Sequence, residues 1–335
     1  MERPATCRAL RSRSIHRTAT SARSWAAAIT AFKPIVYAAA LNHALTPLTV
    51  VQDTAISLRL SNGTYYRPEN SDRRYLGAIP LRDALALSRN VVAVQLAVQV
   101  GMDSVIALAR RMGIRSAISP GPASAIGASA VQPLDIVAAF TTFANLGTPM
   151  DPRFIHRIED SRGRVVHTFP VRALPPALDP AVAFVVREMM RDVVERWTAM
   201  SVRRFVPASV PVAGKTGTTN DNTDTWFIGL TPDIVAGVWF GFDRPTPISG
   251  AAAGGSVAAP AWGRMVGSLY RSRRPGQEWT APPGVISGEA ERGTGELASQ
   301  ITPPNRRYME YFVEGTEPVA LLLDPWRLFR WGPVQ

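Results

Sequence analysis

Thr30-Ala31-Phe32-Lys33-Pro34-Ile35-Val36-Tyr37-Ala38-Ala39-Ala40-Leu41 holds one of only two lysines in a chain of 335 residues. The other is Lys215, which opens Lys215-Thr216-Gly217-Thr218-Thr219; the rest of the 37 basic residues are arginine. A guanidinium stays protonated at any relevant pH. A lysine amine is pushed neutral by burial or by a neighbouring cation, and then serves as a base. Two lysines kept where arginine supplies all other positive charge mark two positions that need an amine.

Thr30-x-x-Lys33 puts a hydroxyl and an amine three residues apart, on one face of a helix. A hydroxyl nucleophile needs just such a base, within hydrogen-bond reach on the same rigid element. At a helix start the nucleophile's own N–H is also unpaired and able to face a developing oxyanion. Alone, the pair is common by chance, as a back-bonded threonine and a lysine reaching for solvent. Ser88-Arg89-Asn90 falls where the periodic run Leu81 to Val100 breaks. A hydroxyl and a carboxamide at that corner point into one cleft, Ser88 to relay a proton between Lys33 and a leaving amine, Asn90 to hold a substrate amide. Both are also ordinary helix caps. Lys215-Thr216-Gly217 reads as a strand. Gly217 leaves room for a substrate backbone, Lys215 and the threonine hydroxyls offer donors to a carboxylate, and the Thr218 N–H offers a second oxyanion donor. A Gly-Thr turn beside a surface lysine is the plainer reading of that stretch alone.

Together, in this order, the three match the Ser-x-x-Lys, Ser-x-Asn and Lys-Thr-Gly set of penicillin-binding proteins and serine β-lactamases. From about residue 30 to 270 the chain resembles the transpeptidase domain of class A penicillin-binding proteins. The likeness also runs through Val91 to Leu96, Gln132-Pro133-Leu134-Asp135, Phe143 to Gly147 and Ala258-Ala259-Pro260-Ala261-Trp262, and more loosely through Phe312 to Pro318. It implies an α+β fold of the β-lactamase/transpeptidase type, an antiparallel sheet flanked by helices with a mostly helical subdomain. It also implies acyl transfer from D-Ala-D-Ala stem peptides of peptidoglycan, acylation by β-lactams, and a place on the extracytoplasmic face of a bacterial inner membrane. On this likeness Thr30 is the nucleophile, Lys33 the base and Ser88 the relay. Asn90, Lys215, Thr216, Gly217 and Thr218 bind substrate.

Three departures qualify the likeness. The nucleophile position is threonine where the family has serine, and Ala26-Ala27-Ala28-Ile29 lacks the family's Pro-Gly lead-in. The γ-methyl of threonine restricts χ1 and crowds the attack. Trp197 stands where relatives usually carry glycine. The glycosyltransferase domain and membrane anchor of class A relatives are not in this sequence, so a truncated or impaired homologue that only binds peptide or partners is the alternative expectation. A class A β-lactamase is disfavoured, because no Glu-x-x-x-Asn occurs.

Composition sets the outer bounds. With 46% hydrophobic residues the chain can bury a substantial core, and its net charge of +11 favours residence near anionic material. No zinc-finger spacing, RNA-binding signature or basic-aromatic stripe is present, so a solvated arginine-rich surface is expected rather than nucleic-acid binding. Cys7 is the only cysteine, excluding an internal disulfide, and the four histidines show no ligand spacing, so neither metal nor cofactor is expected. No run of eighteen or more uncharged apolar residues, the length needed to cross a membrane, occurs.

The expected organisation is an Arg/Ser-rich, disordered or mis-set start over 1–24, a catalytic domain over 25–270, and a Pro/Gly-rich tail over 271–335 in which 271–304 is a linker. Helices are expected over Trp25–Leu45, within Leu81–Val100, and over Met102–Met112, Pro133–Asn145, Ala181–Glu195 and Ala258–Tyr270. Strands are expected at Val210–Gly214, Thr225–Gly229 and Ile234–Phe242, with a hairpin about Asp160-Ser161-Arg162-Gly163.

Overall fold

The computed structural model describes residues 31–219, 222–242, 246–248 and 252–318, and the backbone alone at 6–7, 27–28 and 30. The Arg/Ser-rich stretch 1–24 therefore lies outside the described residues, apart from the backbone of 6–7. The same holds for the end of the tail, 319–335.

Helix α1 (Lys33–Leu41) is the axis of the helical part, with all nine of its residues buried. It is shorter than the expected Trp25–Leu45. Pro34, which fixes φ and lacks an N–H, sets the helix start. Ahead of it Thr30–Phe32 is a 3-10 turn, and Ala27–Ala28 pairs with Ala130–Val131 as a short antiparallel ladder. At the other end Ala44, with φ of 60°, takes the chain out of the helix. The side chains of Ala38, Ala39 and Ala40 are small enough for other helices to come close.

Within 46–80, β1 (Val50–Asp53) pairs antiparallel with β2 (Gly77–Pro80). The expected break in Leu81–Val100 falls between α2 (Leu81–Ala86) and α3 (Asn90–Val100). Helix α4 (Met102–Arg111) follows at once and ends at Gly113, whose φ of 93° suits only glycine well. Next come α5 (Pro133–Ala139) and a short turn of helix over Thr141–Ala144. The predicted hairpin pairs Arg157–Glu159 with Val165–Thr168. Its turn is closed by Asp160 Oδ1, which accepts from the amides of Arg162 and Arg164 at 2.9 Å. Helix α6 (Pro180–Glu195) is capped by Asp179, whose carboxylate accepts from Ala181 N at 2.8 Å.

Three antiparallel strands form the main sheet: β3 (Ala213–Thr218), β4 (Asp224–Leu230) and β5 (Ile234–Gly241), with Thr6–Cys7 parallel outside β5. The first strand runs later than the expected Val210–Gly214 and so carries the whole Lys-Thr-Gly stretch. Helix α7 (Ala259–Tyr270) covers one face. Its Trp262 ring meets Phe227 edge-on at 5.3 Å and donates to the Ala236 carbonyl at 3.0 Å. Gly229 makes this possible, since a Cβ there would sit 2.6 Å from the indole. The opposite side of β3 is the sheet edge, which lies against the Thr30–Phe32 turn and α6.

The linker expected over 271–304 is instead partly strand. Its β6 (Val285–Glu291) pairs along its whole length with β7 (Arg307–Val313). The inward positions of β6 include Gly288 and Ala290, so its apolar alternation is faint in the sequence. Glu310 of β7 is fully buried and accepts from Arg82 Nη1 at 2.7 Å. Arg82 also donates to Asp192 Oδ2 at 2.9 Å and to the Glu188 carbonyl at 3.0 Å. One guanidinium thus ties the start of α2 to α6 and to the tail hairpin.

Candidate active site

The two lysines converge on one oxygen. Lys215 Nζ donates to Ser88 Oγ across 2.7 Å, and Lys33 Nζ lies 3.0 Å from the same Oγ, a pair able to pass a proton either way. Three distant elements meet here: the start of α1, the α2–α3 corner and the edge strand β3. Thr30 opens the 3-10 turn directly before Lys33. The side chain of Thr30 lies outside the described residues.

The backbone explains why Ser88 projects. Ser88 N donates to the Leu85 carbonyl at 3.0 Å and Arg89 N to the Ala84 carbonyl at 2.9 Å. This bond pair is a Schellman ending for α2, whose left-handed position usually belongs to glycine. Here Ser88 fills it with φ of 60°. Strain of this kind gathers where a side chain must be presented.

The corner is clamped from behind. Arg89, buried, donates to Asp53 Oδ2 at 2.8 Å and to Asp72 Oδ2 at 2.9 Å, and also to the Arg74 carbonyl. Asn70 lies beside it. Its Oδ1 accepts from Asn90 N at 2.8 Å and Val91 N at 3.3 Å, capping α3 in place of a local side chain, while its Nδ2 donates to Asp53 Oδ1 at 2.7 Å. The Asn90 carboxamide donates to the Glu69 carbonyl at 2.8 Å. Among the described residues its Oδ1 has no partner.

Both amines are shut from water, Lys33 at 2% exposure and Lys215 at 0%. Burial, with the Arg89 guanidinium as a second cause, lowers Lys33 to about 7. Burial and then the charge of Lys33 hold Lys215 well below the ordinary lysine range. The two nitrogens are at most about 6 Å apart by way of Ser88, so a proton on one opposes a proton on the other.

Lys215 Nζ also donates to the Thr216 carbonyl at 3.1 Å, and Thr216 Oγ1 donates to Thr198 Oγ1 at 2.9 Å. Thr218 Oγ1 accepts from Gly254 N at 2.9 Å, so that hydroxyl holds the segment before α7. Gly254 lies over the Gly217–Trp226 pair so closely that a Cβ on it would come within 2.7 Å of the Gly217 carbonyl. Trp197 is accommodated simply, since its backbone φ is not positive, the residue is 40% exposed and its ring lies beneath the Arg196 guanidinium.

Sequence reasoning missed Thr198, Asn70 and Asp53. Thr198 stood next to the flagged Trp197 but carried no signal of its own. Asn70 and Asp53 act through contacts 17 or more residues away in the chain, a distance no local pattern reports. Among the described residues no group of His, Cys, Asp and Glu side chains is arranged to hold a metal ion.

Comparisons with known proteins point to one family. The penicillin binding protein transpeptidase domain matches residues 30–266. Penicillin-binding protein 1A of Neisseria lactamica is 38% identical over 267 residues, which are 78% of this chain and 33% of that protein. The chain thus spans about a third of the length of that curated relative. The crystal structure of penicillin-binding protein 1A from Haemophilus influenzae superposes with a TM-score of 0.78 at 26% identity, covering 87% of this chain and 48% of that one. Penicillin-binding protein A of M. tuberculosis, solved as an imipenem acyl-enzyme complex, has the same fold, with a TM-score of 0.63 at 24% identity over 73% of this chain and 61% of that one. A buried lysine pair meeting on one serine beside an edge strand, inside so long a match, places the chain in the family of penicillin-binding protein transpeptidase domains.

Proposed function

We propose that this chain transfers the acyl group of a peptidoglycan stem peptide ending in D-Ala-D-Ala, and that β-lactams acylate it at the same position. The observation that carries the reading is Ser88 Oγ held between two buried amines, at 3.0 and 2.7 Å. The Thr30 hydroxyl attacks the carbonyl carbon of the penultimate D-Ala, its proton passing to Lys33 Nζ. The C–N bond to the terminal D-Ala breaks, and the departing amine takes a proton by way of Ser88. An amine of a neighbouring strand then attacks the ester carbon, forming the new amide and returning a proton to the oxygen of residue 30. A β-lactam follows the first half of this sequence, the C–N bond broken being that of its ring.

Substrate binding follows from the edge. The Thr219 amide donates to the Asp224 carbonyl at 3.1 Å, which sets which residues of β3 bond to β4. By antiparallel alternation Thr216 and Thr218 turn their backbone groups away from β4, where a peptide laid along the edge can pair with them. Asn90 Oδ1 accepts from the peptide amide, and Lys215 with Thr216 binds the terminal carboxylate. The reaction belongs outside the cytoplasm, where this polymer lies.

The test uses the purified chain with a fluorescent penicillin, and a D-Ala-D-Ala peptide to follow D-Ala release. Covalent label on Thr30, absent from Thr30→Ala and from Lys33→Ala, is expected, with faster labelling of Thr30→Ser. Label on neither the native chain nor Thr30→Ser, or label that survives Thr30→Ala, overturns the assignment.

A further inference from the structure

Where α7 meets the 3-10 helix that precedes β3, a cavity of about 450 Å³ is lined by Arg204, Phe205, Arg264, Gly267 and Arg271. Arg264, Gly267 and Arg271 recur at helical spacing and so share one face of α7, while Arg204 ends the 3-10 helix Met200–Arg204 opposite. Gly267 lets the two helices close, since a Cβ there would lie 2.2 Å from the Phe205 carbonyl. The Arg264 guanidinium stands 5.0 Å over the half-buried Phe205 ring, which holds that cation at the rim of the cavity.

None of these arginines has a carboxylate within ion-pair distance among the described residues. Their neighbours differ. Arg203 is paired with Glu195, and Arg273 reaches Asp233. These three exposed guanidiniums border one concavity with no carboxylate paired to them, which leaves their donors open to an anion. Guanidinium geometry suits a tetrahedral oxyanion offering several acceptors at once.

We propose that this cavity is a binding site for a phosphate group. Such a phosphate comes either from an anionic lipid headgroup or from a soluble phosphate compound. The site shares no residue with the proposed catalytic centre, so its test needs no acylation.

The experiment compares the native chain with Arg264→Gln/Arg271→Gln and with Arg59→Gln/Arg153→Gln, exposed positions elsewhere that remove the same charge. Each is titrated with inorganic pyrophosphate, and separately with vesicles of phosphatidylglycerol and phosphatidylcholine or of phosphatidylcholine alone. An arginine near an anionic surface contributes about 1 kcal/mol, so the cavity variant is expected to bind about thirty-fold more weakly. The control variant, whose arginines lie elsewhere, should lose less than about threefold, or about 0.7 kcal/mol. Selective binding to phosphatidylglycerol vesicles identifies a lipid headgroup, and saturable binding of pyrophosphate identifies a soluble phosphate. Equal loss in the two variants, which would reflect net charge alone, or no binding to either probe, overturns the proposal.

Discussion

Ser88 offers a substitution pair that separates backbone strain from chemistry. Both Ser88→Ala and Ser88→Gly delete the hydroxyl that joins Lys33 and Lys215. They differ in how they bear the left-handed φ of 60° that the α2 ending demands. An L-residue in that conformation costs about 1–2 kcal/mol. Glycine escapes this but loses roughly 0.5–1 kcal/mol of extra chain entropy on folding. The glycine variant should therefore be more stable than the alanine variant by about 1 kcal/mol, because lost hydrogen bonds are common to both and cancel. Acylation should fall equally in the two, by about 10²–10⁴-fold, the usual contribution of a positioned proton-transfer group. Urea unfolding of the three proteins, with penicillin labelling rates measured alongside, gives both quantities. A glycine variant less stable than the alanine variant would show that the α2 ending is not strained. Labelling within tenfold of native in either would remove Ser88 from the proton path.

Further outcomes follow from the same structure. Lys33 acts as a base only when neutral, so labelling should rise with pH through a midpoint near 7, the lowered value of its amine, and level off above it. Stability should rise over the same side of the scale: between 7 and 10.5 the unfolded chain holds a proton on Lys33 that the folded chain lacks, giving about 1.4 kcal/mol per pH unit. Denaturation midpoints measured from pH 7 to 9 check this, and a flat or falling trend contradicts it. Glu310→Ala leaves the buried Arg82 short of a partner and should destabilise by about 3–5 kcal/mol in urea unfolding, with Glu310→Gln costing less because it still offers an acceptor oxygen. Trp262→Ala should cost about 3–5 kcal/mol by emptying the space between Phe227 and α7, read from the same unfolding curves.

Much of the site was legible because its chemistry resides in residue types with few other uses. Two lysines among so many arginines pointed to Lys33 and Lys215, and the periodic run Leu81–Val100 showed where it had to break. The reading placed Ser88 and Asn90 at that break, where α2 and α3 now leave them. The residues that hold the corner were not legible. Asp53, Asn70 and Arg89 form their contacts across loops, and an aspartate or asparagine in a polar stretch looks the same whether solvated or buried. The tail hairpin was hidden for a different reason. Prolines and glycines surround β6, and two of its inward positions, Gly288 and Ala290, are too small to mark an alternation.

With both of its lysines enclosed, this protein carries its own reporter of opening. A succinimidyl ester or other amine-selective reagent finds no side-chain target on the folded surface, since Lys33 and Lys215 are 2% and 0% exposed. Each lysine adduct detected by mass spectrometry therefore records a molecule that had come apart, at one of two sites over 180 residues distant in sequence. Coupling to amine-reactive beads would likewise reach these two side chains only in opened copies, leaving intact ones to the main-chain α-amine alone.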